Sequence, residues 1–274
     1  MQLGIFAKTF PGHDAAAVLG AVKDAGYSCT QFNLACLGLE SMPTVVPPDA
    51  IDAVAEAAES TGVRLVALSA TYNMIHPDPA VRRDGLHRLR ASLDTARLLG
   101  IPLVTLCTGT RDPDDQWRHH PDNADPEAWF DLCREMEPAL AMAEAEGVNL
   151  GIEPEQANVV RSALDARRLI DDMGSKRLRI VLDPANLFER ATPDEARHLV
   201  AEAVALANGA IAMAHAKDRD ANGRFVSAGA GVIDFPDFLA RLAAEGFDGP
   251  VVTHGLTAAE APGVAAFLGG LGLR

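Results

Sequence analysis

The chain has 274 residues, of which 48% are hydrophobic, and this is enough for one large core. Its formal net charge of -14 at pH 7 argues against a nucleic-acid partner, because contact with phosphate backbones depends on lysine and arginine. No stretch reaches about 18 uninterrupted apolar residues, and the first residues lack the basic and apolar pattern of an export signal. We therefore expect a cytoplasmic protein without membrane contact.

Short β-like segments alternate with longer amphipathic segments, which is the pattern of parallel strands connected by helices. The predicted strands, in chain order, are residues 3–7, 29–34, 64–69, 103–107, 149–153, 179–183, 210–215 and 250–254. The predicted helices are residues 14–25, 48–61, 79–99, 125–146, 162–173, 193–207, 235–245 and 258–269. Several helices are followed by a glycine, which commonly ends a helix: Gly26, Gly62, Gly100, Gly147, Gly174 and Gly246.

Eight strand–helix units favour an α/β fold with a single (β/α)8 TIM barrel over residues 1–274. The main alternative is a doubly wound open sheet, but no GxGxxG motif follows the first predicted strand. The longest irregular segment, residues 108–123, follows the fourth strand. We expect it to form a lid or a substrate wall at the catalytic face.

Four predicted strands end in a residue that binds divalent metals: Glu153, Asp183, His215 and His254. In a parallel barrel all strand C-termini open on one face, so these side chains can converge on one ion. Two carboxylates and two imidazoles suit Mn, Zn, Co or Fe, and Mg fits this set less well. The sequence therefore predicts an enzyme with one divalent metal ion at the mouth of a barrel.

These segments resemble the sugar phosphate isomerase/epimerase superfamily of xylose isomerase-like TIM barrels. The resemblance covers nearly the whole chain, is strongest over residues 147–255, and includes a glycine-rich loop at residues 228–235. Its other motifs are similar to the family's Glu segment, its Asp segment and its HxKD segment: Glu153-Pro154-Glu155, Leu182-Asp183-Pro184-Ala185-Asn186 and His215-Ala216-Lys217-Asp218.

The resemblance implies a metal-dependent isomerase or epimerase that acts on a sugar, keto-sugar or polyol derivative. Such an enzyme removes a proton next to a carbonyl and passes through a metal-stabilised enediolate. Two alternatives stay open: a lyase that eliminates a leaving group from a keto-sugar derivative at the same site, and a barrel that binds a sugar without catalysis. The expected partner is a small sugar or polyol, and a homo-oligomer is compatible with this family.

One residue departs from the family's pattern. Family epimerases end the eighth strand in a second metal-binding glutamate, and His254 stands at that position here. The two glutamates are held to move the proton on opposite faces of the substrate, so the replacement argues against a simple two-glutamate epimerisation. An imidazole is able to coordinate the metal or to act as a base near neutral pH. We predict Glu153, His254 and Lys217 as the catalytic residues, with Lys217 stabilising the enediolate or a substrate oxygen.

Five further residues are predicted to bind the substrate: Asn186, Glu155, Trp117, His119 and His120. Asn186 stands where sugar epimerases often carry a substrate-binding histidine, and Glu155 would face the same side of an extended chain as Glu153. The other three lie in residues 108–123, where they are able to close over a polyol. The alternative interpretation is structural: a turn residue for Asn186 and exposed loop residues for the rest.

The sequence contains only a weak candidate for a phosphate site. Phosphate is usually bound by a basic or glycine-rich cradle, and Gly229 to Gly231 is the one such segment that we identify. We therefore expect an unphosphorylated substrate.

Asp218, next to Lys217, is expected to have a supporting role.

Overall fold

The computed structural model describes residues 1–274, and its elements follow the predicted order closely. The strands are β1 (Gln2–Phe6), β2 (Cys29–Phe32), β3 (Arg64–Ser69), β4 (Leu103–Leu106), β5 (Asn149–Ile152), β6 (Leu178–Leu182), β7 (Ile211–Arg219), β8 (Phe225–Ser227) and β9 (Pro250–Thr253). The helices are α1 (Ala15–Asp24), α2 (Pro48–Thr61), α3 (Pro79–Leu98), α4 (Pro126–Glu146), α5 (Ala163–Met173), α6 (Pro193–Ala207), α7 (Phe235–Ala244) and α8 (Ala261–Gly270). None of these helices is both long enough and apolar enough to span a membrane.

Strands β1 to β7 and β9 pair in parallel around a closed barrel. Each of the first six pairs with the next along the chain, and β9 lies between β7 and β1. At the closure Leu3 lies opposite Val251, and His215 lies opposite Val252. The structure therefore confirms the predicted (β/α)8 TIM barrel, and all eight barrel strands end at one face.

The helix ends follow the signals in the sequence. All six glycines that the sequence predicts as helix stops have a positive φ, between 63° and 95°, which only glycine adopts without strain. At the other end, α5 and α6 begin with a capping box, formed by Ser162 with Asp165 and by Thr192 with Glu195. These local signals explain why the helix bounds agree with prediction to within a few residues.

Small residues let the strands pack tightly inside the barrel. A small apolar cluster that includes Cys29, Leu103, Val181 and Val252 lies apart from the main core. A Cβ atom on Gly151 would come within 2.8 Å of Val181 Cγ2, so this strand position has no room for a side chain.

The structure differs from prediction at β7. The predicted strand ends at residue 215, whereas β7 continues to Arg219 and pairs antiparallel with β8, with Lys217 opposite Ser227 and Arg219 opposite Phe225. His215 therefore lies inside a strand and not at its end. The missed signal is the Asn222-Gly223 pair, which is typical of a hairpin turn.

Candidate metal centre

The four predicted metal ligands converge at the mouth of the barrel. Glu153, Asp183 and His254 directly follow β5, β6 and β9, and His215 lies in β7. One potential ligand atom from each lies within 4.8 Å of the others. Asp183 and His215 are buried, whereas Glu153 and His254 are partly exposed to the cavity above them.

The side chains point their ligand atoms at one another. His254 Nε2 lies 3.1 Å from Asp183 Oδ2. His215 Nδ1 lies 3.2 Å from Glu153 Oε1 and 3.7 Å from Asp183 Oδ2. Two carboxylate oxygens and two imidazole nitrogens around one point fit a first-row divalent ion in donor type and in spacing. The residues of this centre are therefore able to hold the metal that the sequence predicts.

Gln31 on β2 determines which nitrogen of His215 faces the centre, and sequence reasoning missed it. Gln31 Nε2 donates a hydrogen bond to Thr105 Oγ1 at 3.2 Å, which leaves Gln31 Oε1 facing His215 Nε2 at 3.0 Å. An amide oxygen only accepts, so His215 Nε2 carries a proton, and Nδ1 is the nitrogen that faces the carboxylates and would bind a metal. A buried glutamine within a predicted strand was the only signal in the sequence.

Lys217 and Asn186 link the carboxylates into one buried network. Lys217 Nζ lies 3.1 Å from Asp183 Oδ2 and donates to Asn186 Oδ1 at 2.8 Å. The amide nitrogen of Asn186 donates to Glu153 Oε1 at 2.7 Å and to Glu155 Oε1 at 3.2 Å. Burial, followed by the nearby charge of Glu153, raises the pKa of Glu155 to about 8. The network therefore connects four predicted site residues with one another and with the Asp183 carboxylate: Glu153, Glu155, Asn186 and Lys217.

The charges of the metal centre are distributed unevenly. Burial favours a raised pKa for Asp183, but the charge of Lys217 and hydrogen bonds from His215 and His254 outweigh burial and hold that pKa well below its usual range. Burial also works against a charged His215, yet Glu153 and Asp183 raise its pKa to about 9. The pKa of His254 is lowered by burial and by the charge of His215. In the metal-free protein the proton therefore resides on His215, and His254 is the neutral imidazole.

Two adjoining cavities open above this centre. The central cavity has a volume of about 260 Å³, and its wall includes Lys8, Gln31, Glu153, Glu155, His215 and His254. The outer cavity has a volume of about 670 Å³, and its wall includes Trp117, His119, Glu155, Asn186, Lys217 and Arg219. Trp117 and Glu155 line both cavities, so the two spaces meet between these side chains.

Residues 108–123 place the predicted loop residues differently. Trp117 is 49% exposed and borders both cavities, and His119 borders the outer one. His120 lies away from both, where its Nδ1 accepts the N–H of Asp122 at 3.3 Å and caps a short turn of helix. The structure thus brings nine of the ten predicted site residues to the two cavities or to the buried carboxylate network below them, and it places His120 outside that group.

Asp218 occupies the supporting position that the sequence predicts. Its side chain is fully buried, and its two carboxylate oxygens accept the backbone N–H groups of Arg219, Gly229, Gly231 and Ile233 at 2.8 to 3.1 Å. The N–H groups of both glycines are therefore already satisfied inside the protein. The glycine-rich loop is consequently not a cradle for a phosphate.

Comparison with known proteins places this architecture in a family. The model of the xylose isomerase-like TIM barrel family matches residues 19–266. Similar solved structures include D-allulose 3-epimerase from Methylomonas sp., with 16% identity, 99% and 98% coverage of the two chains and a TM-score of 0.76. They also include 3-keto-D-glucoside 4-epimerase from E. coli, with 18% identity, 98% and 99% coverage and a TM-score of 0.78.

A third similar structure is the IolI protein with a bound zinc atom, with 18% identity, 97% and 96% coverage and a TM-score of 0.75. Likeness at these identities establishes the shared fold. A search of the curated proteins finds no match by sequence. The family model spans most of the chain, and the protein therefore belongs to the family of xylose isomerase-like TIM barrels.

Proposed function

We propose that the protein is a divalent-metal-dependent isomerase or epimerase of a sugar, keto-sugar or polyol derivative. The observation that carries this proposal is the convergence of Glu153, Asp183, His215 and His254 within 4.8 Å at the floor of a cavity. The similar structures include epimerases of D-allulose and of a 3-keto-D-glucoside, and one that contains zinc, which supports both the substrate class and the metal.

The proposed reaction moves a proton to or from the carbon next to a carbonyl. A bound divalent ion supplies electrophilic polarisation of the carbonyl and of its neighbouring hydroxyl, which makes that carbon more acidic. Glu153 and His254 both border the central cavity, and each has an atom able to take up or return the proton. His254 suits this role because its lowered pKa keeps the imidazole neutral and basic near pH 7.

Lys217 is proposed to stabilise the negative charge that develops on the substrate oxygen. Its ammonium group lies between Asp183 and Asn186 and also borders the outer cavity, so it faces both the metal centre and a bound substrate. Asn186 is proposed to offer a neutral contact to a hydroxyl while it keeps Glu153 in place. Glu155, Trp117 and His119 are proposed to form the substrate wall.

The first test is the metal content of untagged protein, measured by elemental mass spectrometry together with a His254→Ala variant. We expect about one divalent ion per chain, and reduced occupancy in the variant because one of four ligands is lost. His198→Ala on the exposed side of α6 is the matched control and should retain the metal. Protein that binds no ion after loading with Mn, Co or Zn would favour the non-catalytic barrel.

The second test is proton exchange in D2O, followed by NMR, with metal-loaded protein and a panel of ketoses and keto-sugars. We expect solvent deuterium next to the carbonyl of at least one substrate, and its loss in Glu153→Gln. Release of water or of another leaving group from the same substrate would assign the lyase alternative. A panel without any exchange would overturn the proposed isomerase.

A further inference from the structure

The outer cavity has a basic wall that metal binding does not explain. This wall is built by the β7–β8 hairpin and by the segment that follows β6, and it carries Arg190, Arg219 and Lys217. Lys217 is paired with Asp183, and the exposed Arg118 nearby is paired with Asp112. No carboxylate oxygen lies within 4.0 Å of the guanidinium nitrogens of Arg190 or Arg219.

Arg219 is fixed in place and still has donors to spare. Its Nε donates to Ala185 O at 2.6 Å and its Nη1 to Gly223 O at 2.7 Å, while its guanidinium lies 3.9 Å from the centre of the Phe225 ring. Its Nη2 group has no partner in the protein. Backbone carbonyls and an aromatic face orient the charge without neutralising it.

Arg190 is directed to the same turn. Its Nε donates to Asn222 O at 3.1 Å, and its two Nη groups have no partner in the protein. Gly223 permits this approach, because a Cβ atom there would lie 2.5 Å from Glu189 O and 3.0 Å from Arg190 Cγ. The close packing of the turn on residues 189–190 thus brings two unpaired guanidinium groups to one cavity.

The cavity also contains two acidic side chains, Glu155 and Glu189. Glu155 is bound by the amide of Asn186, and Glu189 forms no ion pair. A cluster of basic side chains in one cavity nevertheless stands out in a chain that has 38 acidic and only 24 basic residues. The free Nη2 of Arg219 and the two free Nη groups of Arg190 match the oxygens of a carboxylate or a phosphate, to which guanidinium groups donate charge-assisted hydrogen bonds.

We propose that Arg190 and Arg219 bind an anionic group of the substrate, a carboxylate or a phosphate, remote from its reacting carbonyl. The substrate is then an acidic sugar derivative that spans both cavities, and a phosphate at this site would overturn the expectation of an unphosphorylated substrate. The assignment of the bound molecule as a substrate rests on the proposed function. The anion site itself rests on the two arginines.

The test is calorimetric titration of metal-loaded protein with three polyols of one chain length: D-glucitol, D-gluconate and D-glucitol 6-phosphate. None of them carries an aldehyde or a ketone, so binding is measured without turnover, and a failure of the isomerase proposal leaves the result intact. We expect at least one acidic probe to bind tenfold or more tightly than D-glucitol. The stronger of the two identifies the anion as carboxylate or phosphate.

Substitution of the arginines tests whether they, and not the metal, bind the anionic group. In Arg219→Gln and in the exposed Arg190→Gln, the advantage of the acidic probe should fall to threefold or less. Arg224→Gln is the control, because Arg224 lies on the same hairpin, pairs with Asp220 and does not line the cavity. Equal binding of all three polyols, or an advantage that survives both Arg190→Gln and Arg219→Gln, would overturn the proposal.

Discussion

Gln31 lies outside the candidate metal centre but orients one of its four residues, His215. The hydrogen bond from Gln31 to Thr105 fixes the glutamine amide, and the amide in turn fixes the tautomer of His215. Partners of this kind commonly change metal affinity by tenfold to a hundredfold when removed. The metal site therefore depends on residues from β2 and β4 as well as on its four ligands.

Replacing Gln31 should separate metal affinity from folding. Gln31→Met keeps the shape but loses the acceptor, and we expect zinc affinity to fall roughly tenfold or more. Gln31→Glu keeps an acceptor oxygen toward His215 Nε2 and should bind zinc more tightly than Gln31→Met. Competition with a metal-binding dye measures both, and circular dichroism checks the fold. Equal affinities in the wild type and in Gln31→Met would show that Gln31 only packs.

Single residues were predictable where a strand end or a family motif marked them. Glu153, Asp183 and His254 directly follow their strands, and Asn186 and Lys217 lie within the matching motifs. Gln31 and Arg219 were missed because their roles come from contacts between distant segments, such as the one between positions 31 and 215. Pattern and spacing carry no information about such contacts.

Among the elements, the helices were predicted more accurately than the irregular segments. Glycine and capping residues mark most helix ends locally, whereas the β7–β8 hairpin adds only three residues in β8 and has no periodic pattern to detect. The carboxylate of Asp218 organises the glycine-rich loop that follows this hairpin.

Removing the charge of Asp218 should loosen that loop. In Asp218→Asn the side-chain amide places donors against backbone N–H groups, and we expect the free energy of unfolding to fall by about 2–4 kcal/mol. Asp220→Asn at the more exposed hairpin turn should lower it less. Urea unfolding measures both values. Hydrogen exchange should rise at residues 228–233 in Asp218→Asn alone, and an unchanged exchange rate would contradict this role.

The loop of residues 108–123 is fastened to helices α3 and α4 through Asp131. This carboxylate lies 2.8 Å from Arg82 Nη1 and 2.7 Å from Arg111 Nη2, and it also contacts Arg134. Arg111 belongs to the loop that carries Trp117. The ion pairs therefore connect the outer helices to the proposed substrate wall.

Asp131 should make stability depend on pH in the acid range. Its burial alone would raise its pKa, but hydrogen bonds from Arg111, Arg134 and Arg82 lower the pKa to about 2, below the unfolded value of about 4. The stabilisation is therefore complete above about pH 4 and is lost as the pH falls toward 2.

Asp131→Asn should cost roughly 2 kcal/mol at pH 7, and the difference from the wild type should shrink below pH 3. Thermal unfolding across this range measures the effect. Asp52→Asn, at an exposed position of α2 outside any ion pair, should change stability little at any pH. A penalty for Asp131→Asn that does not vary with pH would argue against the ion-pair explanation.

For the whole molecule, the sequence predicted the number of units, their order and the closed barrel. Closure follows from the alternation of eight strands and helices, which is a property of the entire chain and tolerates errors at single boundaries. The arrangement of the two cavities was not predictable, because it depends on how the loops fold over the barrel mouth.

Metal binding should stabilise the whole barrel, because the ligands come from β5, β6, β7 and β9. An ion at a hundred times its dissociation constant adds about 2.7 kcal/mol, which corresponds to a Tm rise of about 5 °C for a chain of this size. Scanning calorimetry with and without Zn or Mn measures this shift. His254→Ala should show a smaller rise, and a Tm that is independent of metal in the wild type would contradict the site.

The position of the β7–β8 hairpin determines which residues can be substituted to change selectivity. Strand β8 pairs with β7 alone, and the turn and β8 lie outside the ring of strands that closes the barrel. The candidate metal ligands are held by the barrel, whereas the turn residues and Phe225 border the outer cavity. Substitutions in the turn, residues 220–224, can therefore alter which molecules are accepted while the four candidate ligands stay in place, and this short segment is the natural place to redesign selectivity.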